Sequence, residues 1–230
     1  MEKFLLLMVM FATCCGAPQD LSGKVFVFPA ETTESYVKLL RSTTNQMSAV
    51  TLCLRFLTDL TRNYSLFSSA TRAQDNHFLL FKPSSEHVIK MHVQDGAADF
   101  LSLSFPPNTW HSLCATWSSD TGLAQLWVDG KRTIKRFIKS GQPISGEAFT
   151  IMGQEQDSYG GDFDVTQTFV GMISKVHMWN YILSTAEIKR YVDDTIFTPG
   201  NIYNWRALEY EIKGQVLVDE KPEDAYSSIN

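Results

Sequence analysis

Short runs of apolar, aromatic and β-branched residues recur along the chain and are separated by turn-forming residues. Runs of this length and composition are typical of strands. They predict strands at Val25–Phe28, Tyr36–Leu40, Ala49–Leu57, Tyr64–Ser68, Phe78–Phe81, Val88–Val93, Phe100–Phe105, Trp110–Trp117, Ala124–Val128, Thr133–Ile138, Phe149–Met152 and Phe169–Trp179. Two-residue turns are expected at Thr121-Gly122 and Asp129-Gly130. Because strands follow one another without intervening helices, the pattern predicts an all-β fold, a two-sheet antiparallel β-sandwich.

One segment near the C-terminus has a helical pattern instead. Ser184 and Glu187 fit a capping box, in which each side chain accepts a hydrogen bond from the other residue's backbone N–H. Ile188 and Tyr191 then lie on one face of the following turns. We therefore predict one short helix, from about Thr185 to Val192, that lies on a sheet.

The composition is that of a packed globular protein. The chain has 230 residues and a mass of 26.0 kDa, with 20% charged and 12% aromatic residues. All-β chains of this length often form one unit, so residues 18–230 are expected to be a single domain. The formal net charge of −5 and the lack of a long basic run argue against nucleic-acid binding.

The N-terminus has the features of a secretory signal peptide. Lys3 precedes a short apolar run, Phe4–Ala12, and small residues near Gly16 and Ala17 offer a cleavage site. The apolar run is too short to cross a bilayer of about 30 Å. We therefore expect residues 1–17 to be a signal peptide and the mature protein to be secreted, extracellular and not inserted in a membrane.

Removal of that segment changes the cysteine count. Cys14 and Cys15 would leave with the signal peptide, so the mature chain would hold Cys53 and Cys114 alone. In an oxidising compartment two such cysteines are expected to pair. Two separate buried thiols are the alternative.

An acidic stretch, Ile151–Gln167, is the strongest candidate for chemistry. Its carboxylates are Glu155, Asp157, Asp162 and Asp164, and they surround the Gly160-Gly161 pair. No Lys or Arg occurs between Ser140 and Ser174 to neutralise them. If the segment is extended, Glu155 and Asp157 share a face and Gln156 can offer its backbone carbonyl. A hard cation bound by oxygens, most plausibly calcium, would relieve the repulsion; a solvated acidic loop is the alternative.

Two motifs in this chain resemble those of the pentraxin family. The stretch Gly153–Gly161, followed by Phe163, resembles the calcium loop of that family, and Cys114–Ser119 resembles its Cys-x-[Ser/Thr]-Trp-x-[Ser/Thr] motif. Supporting similarity lies at Phe26–Pro29, Gln74–Asn76, Leu126–Lys131, Val170-Gly171, Met178-Trp179 and Asn204–Leu208. The resemblance covers nearly all of the expected mature chain.

The resemblance implies a β-sandwich of lectin-like jelly-roll topology, a Cys53–Cys114 disulfide, and two Ca²⁺ ions per protomer. Carried over by position, the ligands of the first ion would be Asp75, Asn76, Glu155, the Gln156 carbonyl and Asp157. The second ion would share Glu155 and Asp157 and add Asp164 and Gln167.

The function that the resemblance implies is recognition rather than catalysis. Calcium would hold phosphocholine, phosphoethanolamine or another anionic group on microbial or damaged-cell surfaces, as in innate immunity and the acute phase. Phe81 would line an adjacent apolar pocket, although a plain core position is the alternative for this residue. The carboxylate that would face a choline ammonium stays open between Asp95 and Asp99. The family also implies a homo-oligomeric ring, typically of five protomers, whose opposite face would be free for complement components or receptors.

Other functions are compatible with parts of the pattern. A secreted β-sandwich enzyme acting on glycans could use two carboxylates of the acidic stretch. A calcium-containing adhesion module of the laminin-G type would bind no phosphate. No zinc, nucleotide or serine-hydrolase motif occurs in the chain. Asn63 begins an Asn-Tyr-Ser sequon and is a possible glycosylation site, with an unmodified turn asparagine as the alternative.

Overall fold

The computed structural model describes residues 17–40, 46–85 and 87–222. The expected signal peptide, residues 1–17, lies outside this part of the chain except for its last residue, Ala17. No helix within the described residues has the length and apolar character needed to cross a membrane.

The described residues are mostly in short strands, as the hydrophobic pattern predicts. In chain order the strands are β1 Lys24–Phe28, β2 Tyr36–Leu39, β3 Ala49–Leu57, β4 Tyr64–Thr71, β5 Gln74–Lys82, β6 Ile89–Val93, β7 Gly96–Phe100, β8 His111–Ser118, β9 Leu123–Val128, β10 Lys131–Arg132, β11 Arg136–Phe137, β12 Phe149–Met152, β13 Gly171–Trp179, β14 Tyr203–Asn204, β15 Tyr210–Lys213 and β16 Leu217–Glu220. Two 3-10 helices, Val165–Gln167 and Trp205–Ala207, lie between them.

The strands form two antiparallel sheets. The first sheet has the order β10-β9-β8-β3-β13-β1-β16, with β11 paired to β9 and β14 paired to β13. The second sheet has the order β15-β2-β12-β4-β5-β6-β7. Their facing sides share one large apolar cluster that includes Phe26, Phe56, Phe67 and Trp117. This confirms the predicted two-sheet β-sandwich.

The predicted helix is α1, Thr185–Val192, and its capping box is formed. The Ser184 hydroxyl accepts a hydrogen bond from the backbone N–H of Glu187 (3.2 Å), and the Glu187 carboxylate accepts one from the N–H of Ser184 (3.0 Å). Ile188 and Tyr191 are buried and pack over the outer side of the first sheet.

A disulfide joins Cys53 and Cys114 beneath this helix. The two cysteines are direct partners in the register of β3 and β8, which are neighbouring strands. Trp179, Ile188 and Tyr191 belong to the same buried cluster. The structure thus confirms the expected pairing and excludes two separate thiols.

Several strand predictions at the edges of the sheets are wrong. The predicted strand Phe100–Phe105 ends at its first residue, because Ser102 has a positive φ of 62° that breaks the extended chain. Thr133–Ile138 is interrupted, since the hydroxyl of Thr133 accepts the hydrogen bond that Leu126 N–H would otherwise donate within the ladder (3.1 Å).

The turns and the C-terminal strands differ from expectation in part. Asp129-Gly130 forms the predicted tight turn, with positive φ at both residues. The turn at Thr121-Gly122 belongs to a longer loop, because Ser118 ends β8 and Leu123 begins β9. The strands β14, β15 and β16 were not predicted; β16 has no buried residue, so it lacks the apolar alternation on which the prediction rests.

Candidate cation site on the second sheet

The acidic stretch begins with the last two residues of β12, a strand that lies between β2 and β4 in the second sheet. The side-chain amide of Gln154 donates hydrogen bonds to the carbonyls of Thr32 (2.6 Å) and Ser35 (2.8 Å). The amide of Gln156 donates to the carbonyls of Ser68 (3.1 Å) and Phe149 (3.0 Å). Both glutamines are buried, so they tie the segment to the sheet on each side of Glu155.

This anchoring by glutamine side chains was missed by the sequence analysis, which considered only the backbone carbonyl of Gln156. The side-chain carbonyl of Gln156 also accepts a hydrogen bond from Gly160 N–H (3.0 Å). It therefore holds the following turn as well as the strand beside it. The alternation Gln-Glu-Gln-Asp over residues 154–157 is the sequence signal that could have indicated this division between anchors and free carboxylates.

Gly153 allows the chain to turn from β12 into this segment. It has φ of +97°, and a Cβ atom at this position would lie 2.3 Å from the ring of Phe28. We predict that Gly153→Ala lowers the free energy of unfolding by about 3 kcal/mol, because it adds a steric overlap to the cost of a left-handed backbone. Urea titration of the purified protein in EDTA measures this change.

Gly141→Ala is the matched control for that substitution. Gly141 also has a positive φ, +88°, but a Cβ atom there would meet nothing within 4 Å. Gly141→Ala should therefore lower the free energy of unfolding by only about 1 kcal/mol, which is the cost of the left-handed backbone without a steric overlap. Equal losses in the two variants would show that contact with Phe28 contributes nothing.

Asp75 and Asn76 lie on β5, two strands away from β12 in the same sheet. Asp75 is exposed and Asn76 is half-buried. The backbone N–H of Asn76 donates a hydrogen bond to the carboxylate of Asp95 in the β6–β7 turn (3.2 Å). The sheet order β12-β4-β5 therefore brings this pair towards a segment that is some eighty residues later in the chain.

Asp164 and Gln167 are held together at a 3-10 helix. Asp164 is the N-cap of Val165–Gln167, and its carboxylate accepts hydrogen bonds from the N–H (2.9 Å) and hydroxyl (2.8 Å) of Thr166. The Gln167 amide donates to the same carboxylate (3.3 Å). These bonds hold the pKa of Asp164 below its ordinary value, so this carboxylate is charged at neutral pH.

The carboxylates of the acidic stretch repel one another across short distances. The pKa of Glu155 is raised to about 7, first by burial and then by the negative charges of Asp157, Asp75 and Asp164. The pKa of Asp157 is also raised, first by partial burial and then by Asp164, Asp75 and Asp162. The structure thus places Asp75, Asp157 and Asp164 close enough to Glu155 to disfavour its charged form. Their role as ligands of a cation stays a prediction.

These carboxylates are not neutralised by ion pairs within the part of the chain that the structure describes. Among the ion pairs that the described residues form, none involves Asp75, Glu155, Asp157, Asp162 or Asp164. Within the same part of the chain, no three Asp, Glu, His or Cys side chains form a group that could hold a metal ion as they stand. The arrangement is therefore a group of carboxylate oxygens without ion-pair partners, the type of atom that hard cations prefer, and not a closed metal centre.

Phe81 lies on the same sheet and is half-buried rather than part of the apolar core. It is the direct partner of Lys90 on β6, which in turn is opposite Asp99 on β7. Directly opposed residues of an antiparallel sheet share a face, so the three side chains form one row. Lys90 and Asp99 form an ion pair (3.8 Å). Lys90 was not singled out by the sequence analysis, because only strand register places it beside Phe81.

Asn63 is half-exposed in the loop before β4. Its side-chain carbonyl accepts a hydrogen bond from the backbone N–H of Ser84 (2.6 Å). Glycosylation of this residue stays a prediction.

Comparison with known proteins gives matches over nearly the whole described chain. The model of the Pentaxin family matches residues 24–220. The C-reactive protein of Sus scrofa is 42% identical over 220 residues, which cover 95% of this chain and 97% of that protein. The serum amyloid P-component of Bos taurus is 40% identical over 206 residues, covering 88% of this chain and 89% of the relative.

A solved structure with a similar fold is the native heptameric SAP-like pentraxin from Limulus polyphemus. The TM-score is 0.77, the sequence identity is 22%, and the match covers 86% of this chain and 95% of that chain. At this level of identity the likeness concerns the fold, and it agrees with the jelly-roll topology expected from the sequence.

Proposed function

This chain belongs to the pentaxin family, and we propose that it binds phosphate-bearing or other anionic ligands through calcium on the second sheet. The coarser function follows from the family: a pattern-recognition protein of innate immunity rather than an enzyme. The uncompensated carboxylates around Glu155 are the observation that supports the calcium site most directly.

Two calcium ions would share the carboxylates of Glu155 and Asp157. Asp75, Asn76 and the Gln156 carbonyl would complete the first site, and Asp164 with Gln167 would complete the second. Because these side chains repel one another without a cation, binding would draw them inward and remove the repulsion. A calcium ion that keeps open coordination positions attracts phosphate oxygens strongly.

The buried glutamines would give this site its order before the cation arrives. Gln154 and Gln156 fix the backbone on both sides of Glu155 through four hydrogen bonds to carbonyl oxygens. A site whose backbone is already fixed loses less conformational entropy when the ligand binds. Cation binding would then require only side-chain movements, because the backbone of the loop is already ordered.

Phe81 would contact whatever is attached to the phosphate. Its half-exposed ring offers an apolar surface, and Asp99 in the same row offers a negative charge. Lys90 lies between them, and its positive charge is partly offset by the ion pair with Asp99. This row supports a ligand with both apolar and charged parts, of the phosphocholine or phosphoethanolamine type.

A retention experiment tests this function. We predict that the secreted protein is retained on phosphocholine or phosphoethanolamine beads in millimolar calcium and is released by EDTA. The reason is that the phosphate would be held through the cation rather than by the protein directly. Retention that is insensitive to EDTA would contradict the proposal. Calcium binding by calorimetry without retention on either bead would favour the adhesion-module alternative.

We also propose assembly into a ring. The two edges of the first sheet carry exposed apolar side chains: Ile134 and Phe137 near β11, and Leu217 and Val218 on β16. Contact between opposite edges of successive protomers is heterologous, and such contacts close into rings when the rotation permits. A ring would align several weak ligand sites and so increase the apparent affinity for a surface. Light scattering on the secreted protein counts the protomers.

A further inference from the structure

A small cavity lies beside the first sheet, whereas the acidic stretch extends from the second. Its volume is about 210 Å³, and it is lined by the start of β1, the irregular part of β13 and the segment around Trp205. A cavity of this size is smaller than the ~300 Å³ at which pockets for drug-sized ligands begin. It therefore suits an ion or one small chemical group.

The charges around this cavity are mainly positive. Lys24, Lys175, Arg206 and Lys221 line it, together with a single carboxylate, Asp194. This is the reverse of the chain as a whole, whose net charge is −5. We call this cavity with its four cationic side chains the basic pocket.

Two of the four cations form no ion pair within the part of the chain that the structure describes. Lys24 pairs with Glu220 (3.0 Å) and Lys175 pairs with Asp194. Arg206 and Lys221 form no ion pair with the residues that the structure describes. Lys221 instead lies over the ring of Trp110, with its Nζ 5.5 Å from the ring centroid. Arg206 is close enough to Asp20, and Lys221 to Asp194, to lower the pKa of each carboxyl group. Neither cation is tied up in an ion pair with the described residues, so both can turn to an incoming anion.

Two buried hydrogen-bond donors at the basic pocket also lack partners. The hydroxyl of Ser174 and the indole N–H of Trp205 have no hydrogen-bond partner within residues 17–40, 46–85 and 87–222. Both residues line the cavity and are only 1% and 2% exposed. A buried donor without a partner costs about 1–3 kcal/mol, so such groups usually have an acceptor. The indole N–H can only donate, so a partner for it must be a hydrogen-bond acceptor, such as an oxygen of an anion.

The positive groups also disfavour one another. Burial lowers the pKa of Lys175, and the charges of Arg55 and Lys221 contribute to the decrease, while the hydrogen bond to Asp194 opposes it. The pKa of His177 is lowered to about 3, first by burial and then by the charges of Arg206 and Lys175. An anion in the cavity would reduce this repulsion, as a cation would in the acidic stretch.

We propose that the basic pocket binds an oxyanion of phosphate or sulfate size, independently of calcium. Arg206 and Lys221 supply charge at its mouth, while Ser174 and Trp205 donate hydrogen bonds at its base. Four acceptor oxygens on one small tetrahedral group match several converging donors better than a single water molecule does. The protein would then have a second ligand site on the sheet opposite the calcium site.

Titration of the secreted protein with inorganic phosphate in EDTA tests this site. We expect saturable broadening of the phosphate ³¹P NMR signal, and reversal of the broadening by inorganic sulfate. The double substitution Arg206→Gln/Lys221→Gln should weaken binding at least about tenfold, because it removes two charge-assisted contacts. Ser174→Ala should weaken it about fivefold, the effect of one neutral hydrogen bond.

The matched control is Lys189→Gln/Arg190→Gln. These residues are exposed on α1 and do not line the cavity, so this variant has the same change in net charge and should bind phosphate as the unmodified protein does. Equal weakening in both double variants, or broadening that never saturates, would overturn the proposal. Because EDTA removes calcium, failure here is distinguishable from failure of the calcium-dependent function.

Discussion

Asp157→Asn is expected to weaken calcium binding on the order of 100-fold and to abolish calcium-dependent retention on phosphate ligands. Asp157 would be shared by both ions, so its neutralisation removes a charged ligand from each site. The substitution should not unfold the protein, because Asp157 is exposed and forms no ion pair with the described residues. Calorimetry of calcium binding, followed by retention on phosphocholine beads, measures both effects.

Asp162→Asn is the matched control for this prediction. Asp162 lies in the same acidic stretch and is exposed, but it is not among the proposed calcium ligands. It has a positive φ of 55°, which Asn tolerates, so the substitution adds no backbone strain. Calcium affinity should change by less than about threefold, the effect of a more distant charge. Similar losses in the two variants would show that general negative charge, and not ligation, attracts the cation.

Glu155→Gln should have an effect as large as Asp157→Asn, with an additional signature. Glu155 is buried, and its pKa of about 7 shows that the fold disfavours its negative charge when no cation is bound. The neutral amide should therefore raise the stability of the calcium-free protein while it removes calcium binding. If this variant retains ligand in a calcium-dependent manner, Glu155 is not a shared ligand.

Removal of the disulfide is expected to lower the free energy of unfolding by about 4 kcal/mol. Cys53 and Cys114 are separated by 61 residues, and the chain-entropy model gives this value for a loop of that length. Urea titration of Cys53→Ala/Cys114→Ala against the unmodified protein measures the loss. The substitutions also remove two buried sulfur atoms below α1, so part of any loss reflects packing.

Reduction of the unmodified protein separates those two contributions. Reduced Cys53 and Cys114 keep nearly the same volume, so their effect on stability reports the cross-link alone. We expect the reduced protein to lose most of the stability that the double alanine variant loses. A loss below about 1 kcal/mol on reduction would contradict the cross-link as a major source of stability.

The sequence was most informative where structure depends on neighbours along the chain. The helix α1 has the predicted bounds, because Ser184 and Glu187 satisfy each other's backbone groups within a single turn. The Asp129-Gly130 turn is also local, since both residues tolerate positive φ. Strands in the middle of each sheet are buried and apolar, so their pattern identified them.

The sequence was least informative at the edges of the sheets. The strand β16 is exposed along its length, and β11 holds Phe137, which is 62% exposed. At an edge a strand needs only one hydrogen-bonded neighbour and no buried face, so alternation of apolar and polar residues is not required. A segment therefore becomes an edge strand because a neighbouring strand offers it hydrogen-bond partners, and not because of its own apolar pattern.

The acidic stretch was recognisable from the amino-acid sequence, whereas the basic pocket was recognisable only in the tertiary structure. The sequence by itself determined the carboxylates of Ile151–Gln167, because they are close together along the chain, and a family resemblance joined Asp75 and Asn76 to them. Only the tertiary structure gathered the four cations of the basic pocket, which come from β1, β13, the segment after β14 and the residue after β16. Electrostatic energy depends on distance in space, so charges scattered along the sequence become a site only when strand order and register bring them together.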